Sequence, residues 1–375
     1  MTDTALPSLA DVQTPALVLD ETRMARNIAR LADRAAALGV SLRPHLKTAK
    51  SVDVARLLTG GKFGPITVST LAEAEVFLNA GYTDILYAVG IAPQKLDRVR
   101  ALRARGCDLV VILDSEAQAE AVARAGVPAM IEIDSDGHRG GLRPADPVLI
   151  RVGQILQASG SLRGVMTHAG ESYAVRGKTA HARFAEMERE AVVLAAEALR
   201  ASGLDCPVLS VGSTPTAHAA RDLAGVTELR AGVYMFFDLV MAGIEVCSVE
   251  DIAISVLTTV IGHQTAKGWT MIDAGWMALS RDRGTAAQDL DQGYGVVCDE
   301  TGRILPDLIV GIANQEHGII HRRPGTSGRV PELPVGTRLR ILPNHACATA
   351  AQHDRYHLLS RDGGPVQVWP RFGGW

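Results

Sequence analysis

Residues 65–90 read PITVSTLAEAEVFLNAGYTDILYAVG and set the pattern for a large part of the chain. A short apolar run, PITVST, precedes a stretch whose apolar residues recur at spacings of three and four, as one face of a helix requires. That stretch ends at Gly81, a typical helix stop, and the apolar run DILYAVG follows it. The pattern predicts a strand, a helix and a second strand.

The same alternation continues in both directions from this unit. Apolar runs that predict strands occur at 42–47, 65–70, 84–90, 109–115, 129–136, 164–170, 208–212 and 228–234. Buried strands that alternate with helices predict an α/β fold, and eight of them predict a (β/α)8 barrel of the TIM type. A doubly wound open sheet is the alternative, but no GxGxxG follows the first strand. We expect the barrel to span residues 21–240.

The character of the sequence changes after Asp238. Runs rich in β-branched residues and punctuated by Gly, Asp and Pro replace the helical periodicity, as in SVLTTVIGHQ, WTMIDAG and TRLRILP. This pattern predicts a β-domain over residues 241–375. The early run TPALVLD (14–20) predicts one more strand, and we expect residues 1–20 to join the β-domain.

Composition argues against several classes of protein. Hydrophobic residues make up 47% of the 375 residues and charged residues 21%, as in ordinary globular enzymes. With a net charge of −3 and no basic block, we expect no nucleic-acid partner. No apolar run approaches the roughly 20 residues that span a bilayer, and the first residues lack signal-peptide features. Five scattered cysteines favour a reducing compartment, so we expect a cytoplasmic protein without membrane association.

Lys47 closes the first predicted barrel strand, in the sequence RPHLK. Active sites of (β/α)8 barrels form at the carboxyl ends of the strands, so a polar residue there is a candidate. Strand alternation places Arg43, His45 and Lys47 on one face. A lysine in apolar surroundings has a depressed pKa and can form a Schiff base. A lysine that merely reaches the rim is the commoner case, and we expect that role for Lys50.

A second candidate site is Gly212-Ser213-Thr214-Pro215, directly after the apolar run VLSV. Such a helix start offers unpaired N–H groups to an anion, typically phosphate. An ordinary helix cap is the commoner meaning of the pattern, but its place after a late strand favours phosphate. Arg230-Ala231-Gly232, on the last predicted strand, adds a cation beside a glycine that permits close backbone approach.

A third candidate is His345-Ala346-Cys347 in the β-domain. In an extended segment the imidazole and the thiolate point to the same side and can share one cation. A chance His-x-Cys pair is commoner than a metal site, and two protein ligands would leave positions for water or substrate. Glu316 and His317 could support such ligands or simply lie in a loop.

The motifs RPHLKT, TVSTLAEAE, IEIDSDGHRGG, THAGESY, SVGSTPT, LRAGVYMFFD, DAGWMALSRDRGTA, NQEHG and PNHACAT occur together from about residue 14 to the C-terminus. Jointly they resemble the D-serine dehydratase / D-threonine aldolase family of fold-type III pyridoxal-phosphate enzymes. The resemblance implies a barrel of the alanine-racemase type and a homodimer. It implies that Lys47 carries pyridoxal 5'-phosphate. By the same resemblance the other cofactor-binding residues are Arg139, His168, Tyr173, Ser213, Thr214, Arg230, Gly232 and Val233.

The resemblance also implies a metal and a reaction. His345 and Cys347 correspond to the ligands of a divalent ion, zinc or manganese, with cobalt and magnesium as further candidates. The aldolase branch carries His-x-Asp at this place and the dehydratases carry His-x-Cys, so the chain resembles the dehydratases. We therefore expect a lyase that acts on a β-hydroxy D-amino acid, with Lys47, His345 and Cys347 as catalytic residues.

The expected reaction converts D-threo-3-hydroxyaspartate to oxaloacetate and ammonia, with D-serine as a further substrate. Retro-aldol cleavage of 3-hydroxy-D-aspartate or D-threonine on the same scaffold is the alternative. A non-catalytic pyridoxal-phosphate protein would not need the additional β-domain, and a racemase would leave the metal pair without a task. A second substrate carboxylate could be received by Arg281, Arg283, Arg43 or His45, or these residues could be structural.

Overall fold

The computed structural model describes residues 8–328 and 330–375. Residues 1–7, which begin the 1–20 segment expected in the β-domain, and Arg329 lie outside the described residues. The chain divides into two compact units. The barrel unit comprises Ala29–Gly232 with Gly373–Trp375, and the β-unit comprises the residues up to Ile28 with Val233–Phe372.

The chain begins with β1 (Ala16–Asp20) and α1 (Glu21–Ala37), and strands and helices then alternate along the barrel unit. These elements are β2 (Ser41–Leu42), α2 (Val52–Leu58), β3 (Ile66–Val68), α3 (Leu71–Asn79), β4 (Asp84–Gly90), α4 (Leu96–Ala104), β5 (Asp108–Leu113), α5 (Glu116–Ala125), β6 (Ala129–Ile133), α6 (Pro147–Ala158), β7 (Leu162–Thr167), α7 (Lys178–Ala201), β8 (Val208–Val211), α8 (Thr214–Ala219) and β9 (Glu228–Leu229).

Strands β2 to β9 form one parallel sheet in the order β2-β9-β8-β7-β6-β5-β4-β3. A parallel bridge between His45 and Thr67 joins the segment after β2 to β3. The N–H of Thr67 donates to Pro44 O and the N–H of Leu46 donates to Thr67 O, each at 2.9 Å. The sheet therefore closes on itself, and the predicted TIM-like barrel is confirmed.

The first and last barrel strands are shorter than the apolar runs that predict them. Only Leu42 of the run 42–47 lies in β2, and only Glu228 and Leu229 of the run 228–234 lie in β9. Pro44 has no N–H to donate to a strand ladder, and the chain turns soon afterwards at Lys50, where φ is +44°. The run 228–234 is buried throughout, whereas only Pro44 and Leu46 of the run 42–47 are buried, and in neither run do the hydrogen bonds follow a regular ladder to the end.

The β-unit contains α9 (Leu239–Gly243), β10 (Ile254–Gln264), β11 (Trp269–Ile272), α10 (Trp276–Leu279), β12 (Gly295–Asp299), β13 (Ile304–Ala313), β14 (Gly318–Arg322), β15 (Arg338–Pro343), α11 (Ala346–Ala350), β16 (Arg355–Leu359) and β17 (Gln367–Pro370). Its nine strands have the order β11-β14-β13-β12-β15-β10-β1-β16-β17, and β11 also pairs with β10. That pairing closes six of the strands into a barrel. A β-rich second domain is therefore confirmed.

Strand β1 lies inside this sheet, where it pairs antiparallel with β10 and parallel with β16. Ala16, Val18 and Leu257 form the core of its packing. The central position explains why four residues of the run ALVLD, from Ala16 to Leu19, are buried. Among the described residues, no helix is long and apolar enough to cross a membrane.

Candidate cofactor and metal sites

In the barrel unit, most of the predicted cofactor residues follow the carboxyl ends of strands. Arg139 comes after β6, His168 directly after β7 and Ser213 shortly after β8. Lys47 lies five residues beyond β2. The positive charges of Lys47, Arg139 and Arg230 all act on the imidazoles of His45 and His168. The fold thus brings together residues from four separate parts of the sequence.

The side chain of Lys47 is exposed, and among the described residues no group bonds to its ammonium. Its surroundings are not the apolar ones expected from the sequence, because the imidazoles of His45 and His168 are its neighbours. Lys50 is different, since its ammonium lies 3.1 Å from the buried carboxylate of Glu73. Of these two lysines, therefore, Lys47 is the one that offers a free amine.

The two histidines near Lys47 are neutral. Burial lowers the pKa of His45 well below its usual value, and the charges of Lys47 and Arg230 lower it further. Burial also lowers the pKa of His168 to about 3, against the effect of its hydrogen bond to Gly212. His168 Nδ1 donates to the Gly212 carbonyl at 2.9 Å, so its Nε2 carries no proton. The positive charge here belongs to lysine and arginine.

The start of α8 contains a buried hydroxyl without a partner. Ser213 caps the helix, and its Oγ accepts a hydrogen bond from the N–H of Thr216. Thr214 Oγ1 is fully buried and has no hydrogen-bond partner among the described residues. The Thr214 N–H donates to Tyr173 Oη at 3.4 Å. Because buried polar groups are normally satisfied, the free Thr214 hydroxyl indicates a place for a ligand acceptor.

Two glycines allow the segments around this hydroxyl to approach each other. A Cβ on Gly212, where φ is +138°, would lie 1.9 Å from the carbonyl oxygen of Arg230. A Cβ on Gly232 would lie 2.9 Å from the carbonyl oxygen of His45. The chain that leaves β9 therefore contacts both the Gly212 turn and the segment that carries Lys47. This packing brings the Lys47 and Ser213 segments close to a common neighbour.

The guanidinium groups of Arg230 and Arg139 differ in burial and in their bonding partners. Arg230 is buried and donates to the hydroxyl of Ser210 and to the carbonyl of Thr167, the latter at 2.5 Å. Burial lowers the pKa of Arg230 to about 10, although Glu228 opposes the effect. The Arg139 guanidinium is half exposed and lies 3.8 Å from Glu132. Val233, the first residue after Gly232, is buried at the beginning of the second part of the β-unit.

In the β-unit, His345 and Cys347 contact each other through their side chains. The expectation of an extended segment is wrong, because α11 begins at Ala346 and His345 is its N-cap. The carboxylate of Asp238 accepts the N–H of Ala346 at 2.8 Å and so ties down the start of this helix. The two side chains meet because the N-cap residue is still in an extended conformation.

The His345 ring is oriented by a carboxylate that the sequence did not reveal. Nδ1 of His345 lies 2.6 Å from Oδ2 of Asp282. Burial alone would lower the pKa of His345, but Asp282 and Cys347 raise it to about 11. A histidine that donates from one ring nitrogen to a carboxylate while the other faces a second donor atom is typical of metal ligands. The imidazole and thiol therefore fit a soft or borderline divalent ion.

Asn344 fixes the turn that precedes His345. Its Oδ1 accepts the N–H of Thr285 at 3.0 Å, and its Nδ2 donates to Gly293 O at 2.6 Å. In residues 8–328 and 330–375, no group of three or more His, Cys, Asp or Glu residues is arranged to hold a metal ion. The predicted metal site thus consists of two donor side chains, His345 and Cys347, and the carboxylate of Asp282, which orients His345.

Among the arginines considered as carboxylate receptors, Arg43 has a structural role. Its guanidinium lies 2.6 Å from Asp84 and 2.8 Å from Glu228. Both carboxylates begin strands, so Arg43 is at the amino ends of the barrel strands. In the β-unit, Arg283 lies 2.5 Å from Asp291, and the Arg281 guanidinium lies 5.2 Å from the ring centre of Trp276.

Glu316 and His317 lie in the turn between β13 and β14, where the N–H of Asn314 donates to His317 O at 2.8 Å. Both side chains are exposed. Neither has a hydrogen bond to His345 or Cys347. The structure describes them as residues of a hairpin turn.

Comparison with known proteins agrees with this two-unit organisation. Residues 19–240 match the alanine racemase N-terminal domain, and residues 253–359 match the putative serine dehydratase domain. The chain is 56% identical to D-threo-3-hydroxyaspartate dehydratase of Delftia sp. (strain HT23), over 98% of this chain and 99% of that protein. It is 28% identical to D-serine dehydratase of Dictyostelium discoideum, over 94% of each chain.

A solved structure of the Delftia enzyme superposes with a TM-score of 0.96, at 56% identity, over 98% of this chain and 100% of that one. The fold and the matched domains define a fold-type III pyridoxal-phosphate enzyme. Within that class, the chain belongs to the D-serine dehydratase / D-threonine aldolase family of lyases, and the family resemblance seen in its motifs is confirmed.

Proposed function

We propose that this enzyme dehydrates D-threo-3-hydroxyaspartate to oxaloacetate and ammonia, with pyridoxal 5'-phosphate and one divalent metal ion. The observation that carries the proposal is the His345–Cys347 pair in a chain 56% identical to a dehydratase of that name. Solved structures of that enzyme include a histidine-to-alanine variant and, two positions further along, a cysteine-to-alanine variant in the metal-free form. The same spacing separates His345 from Cys347.

The barrel unit contains groups that fit the coenzyme. Lys47 would bear it, because its amine is free among histidines that carry no charge. The unpaired hydroxyl of Thr214, beside Ser213, would hold the phosphate, and Gly232 and Val233 would complete the phosphate site. His168 and Tyr173 would line the ring, together with Arg139 and Arg230. When bound, pyridoxal phosphate supplies an electron sink for the negative charge that develops at Cα of the substrate.

Lys47 is the group that takes the proton from Cα. Its amine must be unprotonated for this step. The cations of Arg139 and Arg230 act on the neighbouring imidazole of His45. The same cations attract an acidic substrate, since His45 and His168 contribute no charge. The excess of positive charge at this place favours a substrate with two carboxylates over D-serine.

The β-unit contains groups that fit the metal. His345 and Cys347 would hold the ion, and Asp282 keeps the His345 ring in one orientation. The ion supplies Lewis-acid polarisation of the β-oxygen, which hydroxide needs because it is a poor leaving group. A histidine and a cysteine suit zinc, whereas positions filled by oxygen ligands also accept manganese, cobalt or magnesium.

A product assay tests the proposal. Purified protein is loaded with pyridoxal phosphate and incubated with D-threo-3-hydroxyaspartate, with and without divalent metal. Oxaloacetate and ammonia that appear only with metal are the expected products. Glycine and glyoxylate would instead establish the retro-aldol reaction, which is the activity named for a Paracoccus denitrificans relative at 29% identity. D-Serine and D-threonine in the same panel define how strictly the second carboxylate is required.

The proposal extends to a cytoplasmic homodimer. None of the five cysteines forms a disulfide bond in the described part of the chain, and three of them are buried, which suits a reducing compartment. Family membership supports the dimer. Light scattering on the eluting protein should give twice the mass of one chain, and a monomer mass would contradict this part of the proposal.

A further inference from the structure

A closed ring of hydrogen bonds joins the segment after β7 to the start of α8, and Glu188 on α7 completes it. Glu188 Oε1 accepts the N–H of Ala169 at 2.7 Å, and Ser172 Oγ donates to Ala169 O at 2.7 Å. The hydroxyls of Ser172 and Ser213 are 2.9 Å apart, and those of Ser213 and Thr216 are also 2.9 Å apart. Thr216 in turn bonds to the Glu188 carboxyl.

The whole ring is buried. Glu188 is 1% exposed, and the three hydroxyl residues, Ser172, Ser213 and Thr216, are between 0% and 2% exposed. A carboxyl group in such a place is costly unless hydrogen bonds satisfy it, and an apolar side chain would fill the space at lower cost. Each ring member has at least two partners, so the network is complete rather than partly satisfied.

The ring holds residues that adjoin the coenzyme groups. His168 directly precedes Ala169, Tyr173 directly follows Ser172, and Thr214 directly follows Ser213. A displacement of Ala169 or Ser213 would therefore move the coenzyme-lining imidazole or the phosphate-binding hydroxyl. Glu188 therefore acts on this part of the site through its ring contacts with Ala169 and Thr216.

We propose that Glu188 is a positioning residue for the coenzyme. Its hydrogen bonds hold the His168–Tyr173 segment and the Ser213–Thr214 turn in a fixed position relative to each other. The inference rests on the proposed function, because it requires that these residues bind pyridoxal phosphate. Glu188 touches neither substrate nor reacting atoms and acts through Ala169 and Thr216. Its hydrogen-bonding capacity, rather than its charge, performs this role.

The charges around Glu188 are consistent with a role that depends on its hydrogen bonds rather than on its charge. Burial raises the pKa of Glu188 to about 7, whereas the hydrogen bonds from Thr216 and Ala169 and the positive charge of Arg230 lower it. The negative charge of Asp136 raises the pKa of Glu188, opposite to the effect of Arg230. A neutral amide in place of the carboxyl retains an acceptor for Ala169 and avoids the charge, so glutamine should preserve the ring.

Coenzyme binding tests the proposal, measured as the dissociation constant of pyridoxal phosphate from the quenching of protein fluorescence. Glu188→Leu removes both ring contacts and should weaken binding about tenfold or more, the effect of one or two lost hydrogen bonds. Glu188→Gln should remain within about threefold of the wild type, on the same reasoning. Glu190→Leu, on the exposed side of the same helix, is the matched control and should leave binding unchanged.

If Glu188→Leu does not fold, Ser172→Ala breaks the ring at a neutral group and should weaken binding about fivefold. Unfolding of the coenzyme-free proteins is measured in parallel. A Glu188→Leu variant that is less stable but binds the coenzyme with the wild-type constant would show a purely structural role and overturn the proposal. Wild-type protein that takes up no pyridoxal phosphate would overturn the proposed function itself, a result distinct from equal binding by wild type and variant.

Discussion

Asp282 Oδ2 lies 2.6 Å from Nδ1 of His345, and this contact joins two segments 63 residues apart. The carboxylate selects one orientation of the imidazole and leaves the other ring nitrogen directed to the side where Cys347 lies. Asp282 stands in the motif SRDRG between two arginines, Arg281 and Arg283, which have other partners. In the β-unit Asp282 therefore orients His345, the proposed metal ligand.

The first prediction concerns this contact. Asp282→Asn should lower the affinity for Zn²⁺ or Mn²⁺ about 10- to 100-fold, because the outer carboxylate orients the ligand and increases its basicity. Competition with a chromophoric chelator measures the affinity. Asp354→Asn, an exposed aspartate of the same unit that pairs with Arg355, is the control. Equal metal affinities in the two variants would contradict the assigned role.

Lys47→Ala should abolish both the visible absorbance of the bound coenzyme and the dehydration of D-threo-3-hydroxyaspartate. The reason is that no other amine occupies its place after β2, while Lys50 is held by Glu73. Absorption spectra and ammonia release measure the two effects. Lys62→Ala, at an exposed position of the barrel unit, should change neither. Turnover that survives in Lys47→Ala would refute the assignment.

Removal of the metal should separate coenzyme binding from turnover. Chelation, or Cys347→Ala, should lower kcat at least about 100-fold, because Lewis-acid assistance to the leaving hydroxide contributes several kcal/mol. The visible spectrum of the coenzyme should persist, since all of its predicted ligands except Val233 lie in the barrel unit. Cys247→Ala, at another partly buried cysteine of the β-unit, is the control. An unchanged kcat after complete chelation would show that the reaction needs no metal.

Thr214→Val tests the phosphate site. The substitution preserves shape and removes a buried hydroxyl that lacks a partner, so the coenzyme-free protein should be as stable as the wild type or slightly more stable. Affinity for pyridoxal phosphate should fall about tenfold, the effect of one lost hydrogen bond to a charged group. Affinity for pyridoxal, which has no phosphate, should not change. A parallel loss for both compounds would place the phosphate elsewhere.

The pH dependence of stability provides a test of Glu188. Its folded-state pKa, about 7, is above the ordinary 4.5, so its contribution to stability is fully present below pH 4.5 and is lost as pH rises through 7. The difference corresponds to about 3 kcal/mol at 1.36 kcal/mol per pKa unit. Glu188→Gln should therefore gain stability relative to the wild type as pH rises from about 4.5 to about 7, as urea unfolding measures. Arg230 and Asp136 are the charged groups that face it, and a difference independent of pH would contradict the raised pKa.

The sequence predicts the strands of the barrel well because apolar periodicity reports burial, and the strands from β3 to β9 all contain buried residues, whereas β2 contains none. It predicts their ends less well. The run 42–47 extends beyond β2, and the N–H of buried Leu46 still donates to Thr67 O, but only an isolated bridge joins this segment to β3. Burial and ladder pairing coincide in the middle of a strand but not where the chain leaves the sheet.

In the candidate site, too, short motifs are predictable from the sequence, whereas contacts between residues far apart in the chain are not. His345 and Cys347 are recognisable because their spacing is local, and the Gly212–Pro215 turn is a short motif. Asp282, Asp238 and Glu188 could not be found from the sequence, because their partners are brought to them only by the tertiary fold. The helix that begins at Ala346 escaped prediction for this reason, since the carboxylate that holds its first N–H lies 108 residues earlier.

The place of β1 within the nine-stranded sheet has a consequence for synthesis. The apolar segment Ala16–Asp20 leaves the ribosome before the entire barrel unit, yet one neighbour, β10, begins at Ile254 and the other, β16, at Arg355. A nascent chain therefore carries this strand with both edges open until β10 has been made and with one edge open until translation is nearly finished, and such edges invite association with other chains. Slower elongation or a shortage of chaperones should reduce the yield of native enzyme by acting on these five residues.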